Sequence, residues 1–212
     1  MRRLCCVAFT LLWSLAAGAQ DSLMVRLNQS PRHQEWVKIQ SGDRQLQAFL
    51  VFPEVAEKAQ AVIVIHENRG LTDWVRGVAD RLAEAGYIAL APDLLSGTGP
   101  GGGGTASFAS SDSARQAIYQ LPAAQVNADL NAAAEYLVKL PAADGRVAVA
   151  GFCWGGARTF AFAAERPGLA GAYVFYGTGP DSAAVFAQIS CPVYGFYGGN
   201  DARVNATIPT SA

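Results

Sequence analysis

With 212 residues, 51% of them hydrophobic, and 16 basic against 17 acidic side chains, the chain is long enough to bury one sizeable core and is nearly neutral overall. No basic run stands out, which argues against a nucleic-acid partner, and no apolar stretch reaches the roughly 20 residues of a membrane-spanning helix. The two histidines, His33 and His66, and the four cysteines form no metal-ligand spacing, so neither a metal nor another cofactor is expected.

The first element is a targeting signal. Arg2 and Arg3 precede an apolar run from Leu4 to Leu15, and Ala17-Gly18-Ala19 closes it with small residues, so residues 1–19 read as a signal peptide cleaved after Ala19. The expected product is a secreted or periplasmic domain over residues 20–212, free of the membrane once the signal is removed, and expected to be a monomer. Cys5 and Cys6 leave with the signal. Cys153 and Cys191 remain; a disulfide between them stays open in an oxidising compartment, while Cys191, next to Pro192 at the start of an apolar run, reads better as a small buried hydrophobe.

Further along, two apolar runs, Trp36–Gln40 and Leu46–Phe52, flank Ser41-Gly42-Asp43 and predict an antiparallel hairpin. Ala61–Ile65 predicts a strand buried on both faces. A helix should start near Thr72, turn Val75, Val78, Ala79 and Leu82 to one side, and stop at Gly86. The strand Tyr87–Ala91 ends in Pro92-Asp93. Glycine then dominates Gly97–Gly104, which formally contains G-x-G-x-x-G. Pro100 inside that motif, and the lack of a helix opening directly after it, exclude a dinucleotide site, and a flexible surface loop is expected. A helix over Gln125–Leu140 follows, then the strand Arg146–Gly151, a helix from Trp154 to about Arg166, and strands Gly171–Tyr176 and Pro192–Tyr197. This alternation predicts a mostly parallel sheet covered by helices on both faces.

One strand-to-helix junction carries chemistry. Gly151-Phe152-Cys153-Trp154-Gly155-Gly156 has the glycine spacing of the G-x-S-x-G nucleophile elbow, with sulfur in place of the hydroxyl. A helix beginning at Trp154 would set its positive end at the sulfur and favour the thiolate. A small residue buried in a glycine-rich turn is the plainer account of an isolated cysteine, but here strand, glycines and helix are in register.

That elbow, together with Val62-Ile63-Val64-Ile65-His66-Glu67-Asn68-Arg69-Gly70, Ala91-Pro92-Asp93-Leu94 and Tyr197-Gly198-Gly199-Asn200-Asp201, resembles the dienelactone hydrolase family over roughly Trp36 to Pro209. The resemblance implies an α/β-hydrolase fold and a Cys-His-Asp triad acting on a small-molecule ester or lactone. It implies Cys153 as nucleophile, Asp201 as the acid that orients the histidine, Glu67 as the group that helps form the thiolate, and backbone amides of Trp154 and Asn68 as oxyanion hole. His66 and Arg69 fall where they could flank the pocket, although ordinary loop structure accounts for both. Trp154 could line the pocket or pack against the neighbouring strand.

Two departures qualify what the resemblance implies. The family's histidine comes some tens of residues after its aspartate, beyond one more helix and strand, whereas no histidine follows His66 here. The expectation is therefore a C-terminally truncated hydrolase lacking the last helix–strand unit, with Pro192–Tyr197 as an uncovered apolar edge. A non-catalytic small-ligand-binding module that keeps the hydrolase pocket is the alternative. In addition, Leu94-Leu95-Ser96 and the glycine run stand where an arginine would hold a dienelactone carboxylate, which points to a more general ester or lactone.

Overall fold

A computed structural model describes residues 23–211; the predicted signal peptide lies outside the described residues. The chain divides into two compact units, 1–31 and 32–212. In the first, residues 23–28 form a helical segment, α1.

The second unit is built on a seven-stranded sheet. Its strands are β1 (Gln34–Ser41), β2 (Arg44–Val51), β3 (Ala59–Ile65), β4 (Ile88–Pro92), β5 (Ala143–Phe152), β6 (Ala172–Phe175) and β7 (Val193–Phe196), in the order β1-β2-β4-β3-β5-β6-β7. The hairpin β1–β2 and the β2–β4 pair are antiparallel, and every other pair is parallel. The chain steps from β3 outward to β4, then crosses back over β3 to β5. This reversal opens a crevice at the C-terminal ends of β3 and β5, the place where open α/β sheets bind ligands.

Alternation along β3 shows why the sheet needs cover on both sides. Ala61, Ile63 and Ile65 join a core with Val126, Leu130, Ala134 and Leu137 of α4 (Ala123–Val138) and Phe162 of α5 (Trp154–Glu165). The intervening Val64 packs with Val75, Ala79 and Ala83 of α2 (Asp73–Glu84) on the opposite face. Thr72 is the N-cap of α2 by backbone conformation, without a side-chain cap, and Gly86 follows the helix at φ 94°, which suits a residue lacking Cβ.

Helix cover stops short on the α2 face. Val62, Ala148 and Ala150 pack with the partly buried Leu82, Tyr173 and Phe175, and an apolar hollow of about 210 Å³ opens there between Leu82, Tyr87 and Phe175. Edge strand β7 is exposed along its whole length, with Tyr194 at 50% and Phe196 at 47%. Stacking ties it back to the sheet: Tyr173 on Tyr194 at 5.2 Å and Phe175 on Phe196 at 4.5 Å.

Two stretches differ from the sequence reading. Residues 111–120, within a run of serines and alanines, form a regular helix, α3 (Ser111–Gln120), because Ser110 and Ser113 cap each other's backbone and Ala114 and Ile118 are buried. The glycine-rich stretch is not a free loop. It folds into two short 3₁₀ turns, Pro100–Gly102 and Thr105–Ser107, and Gly99 donates to the Gly103 carbonyl at 2.9 Å. At Gly104 a Cβ would collide with the Asp93 carboxylate, so glycine serves close approach here rather than freedom.

Leu130 is fully buried between α4 and the sheet. Leu130→Ala should lower the unfolding free energy by about 2–5 kcal/mol, read from the urea midpoint, because the surrounding helix can only partly collapse into the cavity.

Candidate active site

β5 ends at Phe152, and Cys153 then takes φ 54°, ψ −114° as the N-cap of α5. A non-glycine residue in the left-handed region is held there by its surroundings. Two of those surroundings are explicit. The Cys153 amide donates to the Phe175 carbonyl at 3.0 Å, tying the turn to β6, and α5 lies so close to β3 that a Cβ at Gly155 would overlap the backbone of Ile65 and His66. Gly151 is likewise closed in by the Gly155 carbonyl and Thr159. The cysteine itself is half-buried, so its thiol is neither sealed in the core nor fully in solvent. As the first residue of the helix, Trp154 has an amide that no carbonyl within α5 can receive.

On the neighbouring strand, the segment after β3 carries His66, Glu67, Asn68 and Arg69. His66 is wholly buried, not part of a pocket wall. Its Nδ1 meets the Glu67 carbonyl at 2.8 Å, and its Nε2 accepts from the Leu94 amide at 3.3 Å. One nitrogen must donate and the other accept, which makes the ring neutral and leaves neither nitrogen for chemistry. Burial pushes this imidazole below its ordinary value, against the opposing pull of Asp93. Trp154 stacks on it at 5.6 Å with the rings 11° apart, and Trp154 is buried, so this indole packs rather than lines an open pocket.

Glu67 and Asn68 are partly buried and Arg69 is exposed. Glu67 Oε1 accepts from the Tyr176 hydroxyl at 3.0 Å, and Asn68 Nδ2 donates to the Tyr119 hydroxyl of α3 at 3.2 Å. The loop's exit is clamped by Asp93, whose carboxylate accepts from the Thr105 amide and hydroxyl, each at 2.7 Å, while the same Thr105 oxygen accepts from the Leu71 amide at 2.9 Å.

Asp201 follows β7 at the same edge of the sheet, two strands from Cys153, and N-caps the short helix α7 (Ala202–Asn205) by accepting from the Val204 amide at 3.1 Å. His33 sits at the other edge, beside Phe52 and 3.7 Å from Glu35. Neither histidine of the sequence therefore stands free beside the thiol. Cys153 and Cys191 are both unbridged; Cys191 is half-buried against the core, and burial pushes its thiol up. Among the described residues, no three His, Cys, Asp or Glu side chains gather as a metal site, and no helix is long and apolar enough to cross a membrane.

Sequence reasoning did not single out Tyr176. In the sequence it is only the last residue of the expected strand Gly171–Tyr176. The signal lies in its place one residue past β6, level with Cys153 one residue past β5, and that needs the strand register.

A mostly parallel sheet with a cysteine elbow at its switch point defines an α/β-hydrolase. The chain belongs to the dienelactone hydrolase family, whose model matches residues 46–210. A Methylorubrum extorquens protein provisionally named carboxymethylenebutenolidase is 33% identical over 176 residues, 78% of this chain and 59% of that protein. A Salmonella typhimurium protein with the same provisional name is 31% identical over 168 residues, 74% of this chain and 61% of its own length. The chain thus spans about three fifths of the length of these relatives. Among solved structures, a provisionally assigned dienelactone hydrolase from Klebsiella pneumoniae superposes with a TM-score of 0.74 at 28% identity, covering 84% of this chain and 78% of its own. A dienelactone hydrolase-like promiscuous phosphotriesterase from metagenomic libraries gives 0.70 at 28%, covering 85% and 74%.

Because His66 is held neutral in the core, protons bind the unfolded chain more readily than the folded one below the ordinary imidazole value of 6.5. This contribution to stability is complete above that value and is lost as pH falls through it, by up to about 1.4 kcal/mol per pH unit. Urea midpoints between pH 7 and pH 5 should therefore fall more steeply in the parent than in His66→Gln, whose amide can still donate and accept.

Proposed function

We propose that the chain is an exported ester or lactone hydrolase domain with Cys153 as nucleophile. The observation that supports this most directly is the positive-φ, half-exposed cysteine capping α5 at the switch point of the sheet, next to the strand that carries Glu67. In the proposed reaction the Cys153 thiol proton passes to the Glu67 carboxylate as sulfur forms a bond to the acyl carbon. The carbonyl π pair moves to oxygen, where the amides of Trp154 and Asn68 receive it. Collapse breaks the bond to the leaving oxygen, which takes the proton back from Glu67. Water then cleaves the thioester, releasing the acid and the thiol. Asp201, at the same edge past β7, is assigned here the role that the resemblance implies for it, orienting a base.

Substrate breadth follows from the loop after Asp93. It offers backbone and small side chains rather than an arginine, which fits a neutral ester or lactone better than a dicarboxylate.

A second reading has its own support. With His66 committed to backbone partners and His33 at the opposite edge, no imidazole reaches the thiol among the described residues, so the site fits slow acylation or ligand retention without turnover.

Incubation with p-nitrophenyl acetate followed by intact-mass measurement separates the two. The nucleophile reading expects one acetyl adduct, located on Cys153 and absent from Cys153→Ala; retained ligand with no adduct would favour the binding module. Export and removal of residues 1–19 should appear as a mature protein beginning at Gln20 when the full-length gene is expressed in a bacterial host, and a protein retaining Met1 in the cytoplasm would exclude it.

A further inference from the structure

Glu67, Cys153 and Tyr176 occupy one row across three adjacent strands. Ile65 lies opposite Gly151 in the β3–β5 pair, and Phe152 lies opposite Phe175 in the β5–β6 pair. Counting outward from those pairs sets residue 67 level with 153, and 153 level with 176. The bond from the Tyr176 hydroxyl to Glu67 Oε1 therefore runs from the end of β6 to the end of β3, with the elbow of the intervening strand between them.

The backbone is built to hold this row. Among the described residues, Cys153 and Tyr176 are the two non-glycine positions with positive φ, at 54° and 42°. L residues rarely adopt that conformation, and here it recurs on neighbouring strands at the same level. Each turn is pinned by its neighbour: the Cys153 amide donates to Phe175, and the Tyr176 amide donates to Phe196 at 2.8 Å. The phenol ring is half-buried beside Phe152, with centroids 6.2 Å apart. Burial, and then the Glu67 charge, push the phenol well above its ordinary value, which keeps it a donor.

We propose that Tyr176 is a positioning residue for acyl transfer: its hydroxyl engages one carboxylate oxygen of Glu67 and so turns the other toward the Cys153 thiol as proton acceptor. A glutamate on a loop rotates freely about its last bonds, and a hydrogen bond to its ionised form is strong enough to select one orientation. The inference rests on the reading of Cys153 as nucleophile and Glu67 as the group that takes its proton. It assigns Tyr176 no contact with the substrate.

The test is the pre-steady-state burst of p-nitrophenolate from p-nitrophenyl acetate, measured on the full chain with adduct formation followed by mass. Tyr176→Phe keeps the ring against Phe152 and removes only the hydroxyl. Its acylation rate constant should fall about tenfold, the worth of one hydrogen bond to a charged group, with the half-saturating ester concentration unchanged. Glu67→Gln should lose at least as much, and adding Tyr176→Phe to Glu67→Gln should cost nothing further, because the two act through one carboxylate. If Tyr176→Phe yields little folded protein, Glu67→Asp reports on the same bond by drawing the carboxylate back one methylene, and should lose acylation to a similar degree. Undiminished acylation in Tyr176→Phe or Glu67→Asp, or a loss in Tyr176→Phe that recurs in full on top of Glu67→Gln, overturns the role of Tyr176 and leaves the nucleophile standing. An adduct that survives Cys153→Ala, or no adduct on the parent chain, overturns the nucleophile reading and this inference with it.

Discussion

Helix α5 can start directly against the end of β3 only because residues 151 and 155 carry no side chain. At 155 the backbone of Ile65 and His66 occupies the space a Cβ would need, and at 151 the Gly155 carbonyl and Thr159 do. This close approach is what sends the chain through φ 54° at Cys153 and sets the sulfur at the helix's amide end, above the crevice where the strand order reverses. The elbow conformation is disfavoured by about 1–3 kcal/mol for a residue with a side chain, and the packing around it has to offset that.

The opposite wall of the crevice is held by polar groups rather than by packing alone. His66 bridges the β3 and β4 ends through the Glu67 carbonyl and the Leu94 amide, and Asp93 reaches the glycine-rich loop through Thr105, which in turn holds Leu71. Glu67 and Asn68 therefore sit on a loop fixed at both ends. Asp93 and His66 are buried, yet each has its hydrogen bonds made, which is the condition under which buried polar groups specify a structure instead of weakening it.

The two halves of the sheet are unequally finished. Around β3 and β4 both faces are covered, whereas along β6 and β7 the α2 face presents Tyr173, Tyr194, Phe175 and Phe196 as a stacked ladder with its outer members half in solvent. Aromatic surface of this kind, on an edge strand whose backbone is paired on one side, is open to association with other apolar surface. Asp201 lies just past that strand, so it belongs to the less covered half, and Cys153 and Glu67 belong to the covered half.

Local patterns were enough for the strands and for the elbow. Ala61–Ile65 can only be a strand buried on two faces, and glycines two before and two after a cysteine at a strand–helix junction already describe the turn. Helix α3 was hidden because its cap is a pair of serines in a low-complexity run, and its two buried residues become apolar contacts only once α4 and the sheet are in place. The glycine run suggests slack from composition alone, yet at Gly99 and Gly103 a Cβ would meet Ser107 and at Gly104 the Asp93 carboxylate, while Gly97, Gly101 and Gly102 take positive φ, and no composition records either demand. His66 falls in sequence where it could flank the pocket, and burial with two backbone partners makes it a structural link instead. The residue types at the site, a cysteine, a glutamate and an aspartate each just past an apolar run, were determined by the sequence. That Tyr176 joins them, and that neither imidazole does, was decided by strand register and burial, because a one-residue shift in pairing would move every side chain to the other face and no local pattern records which register wins.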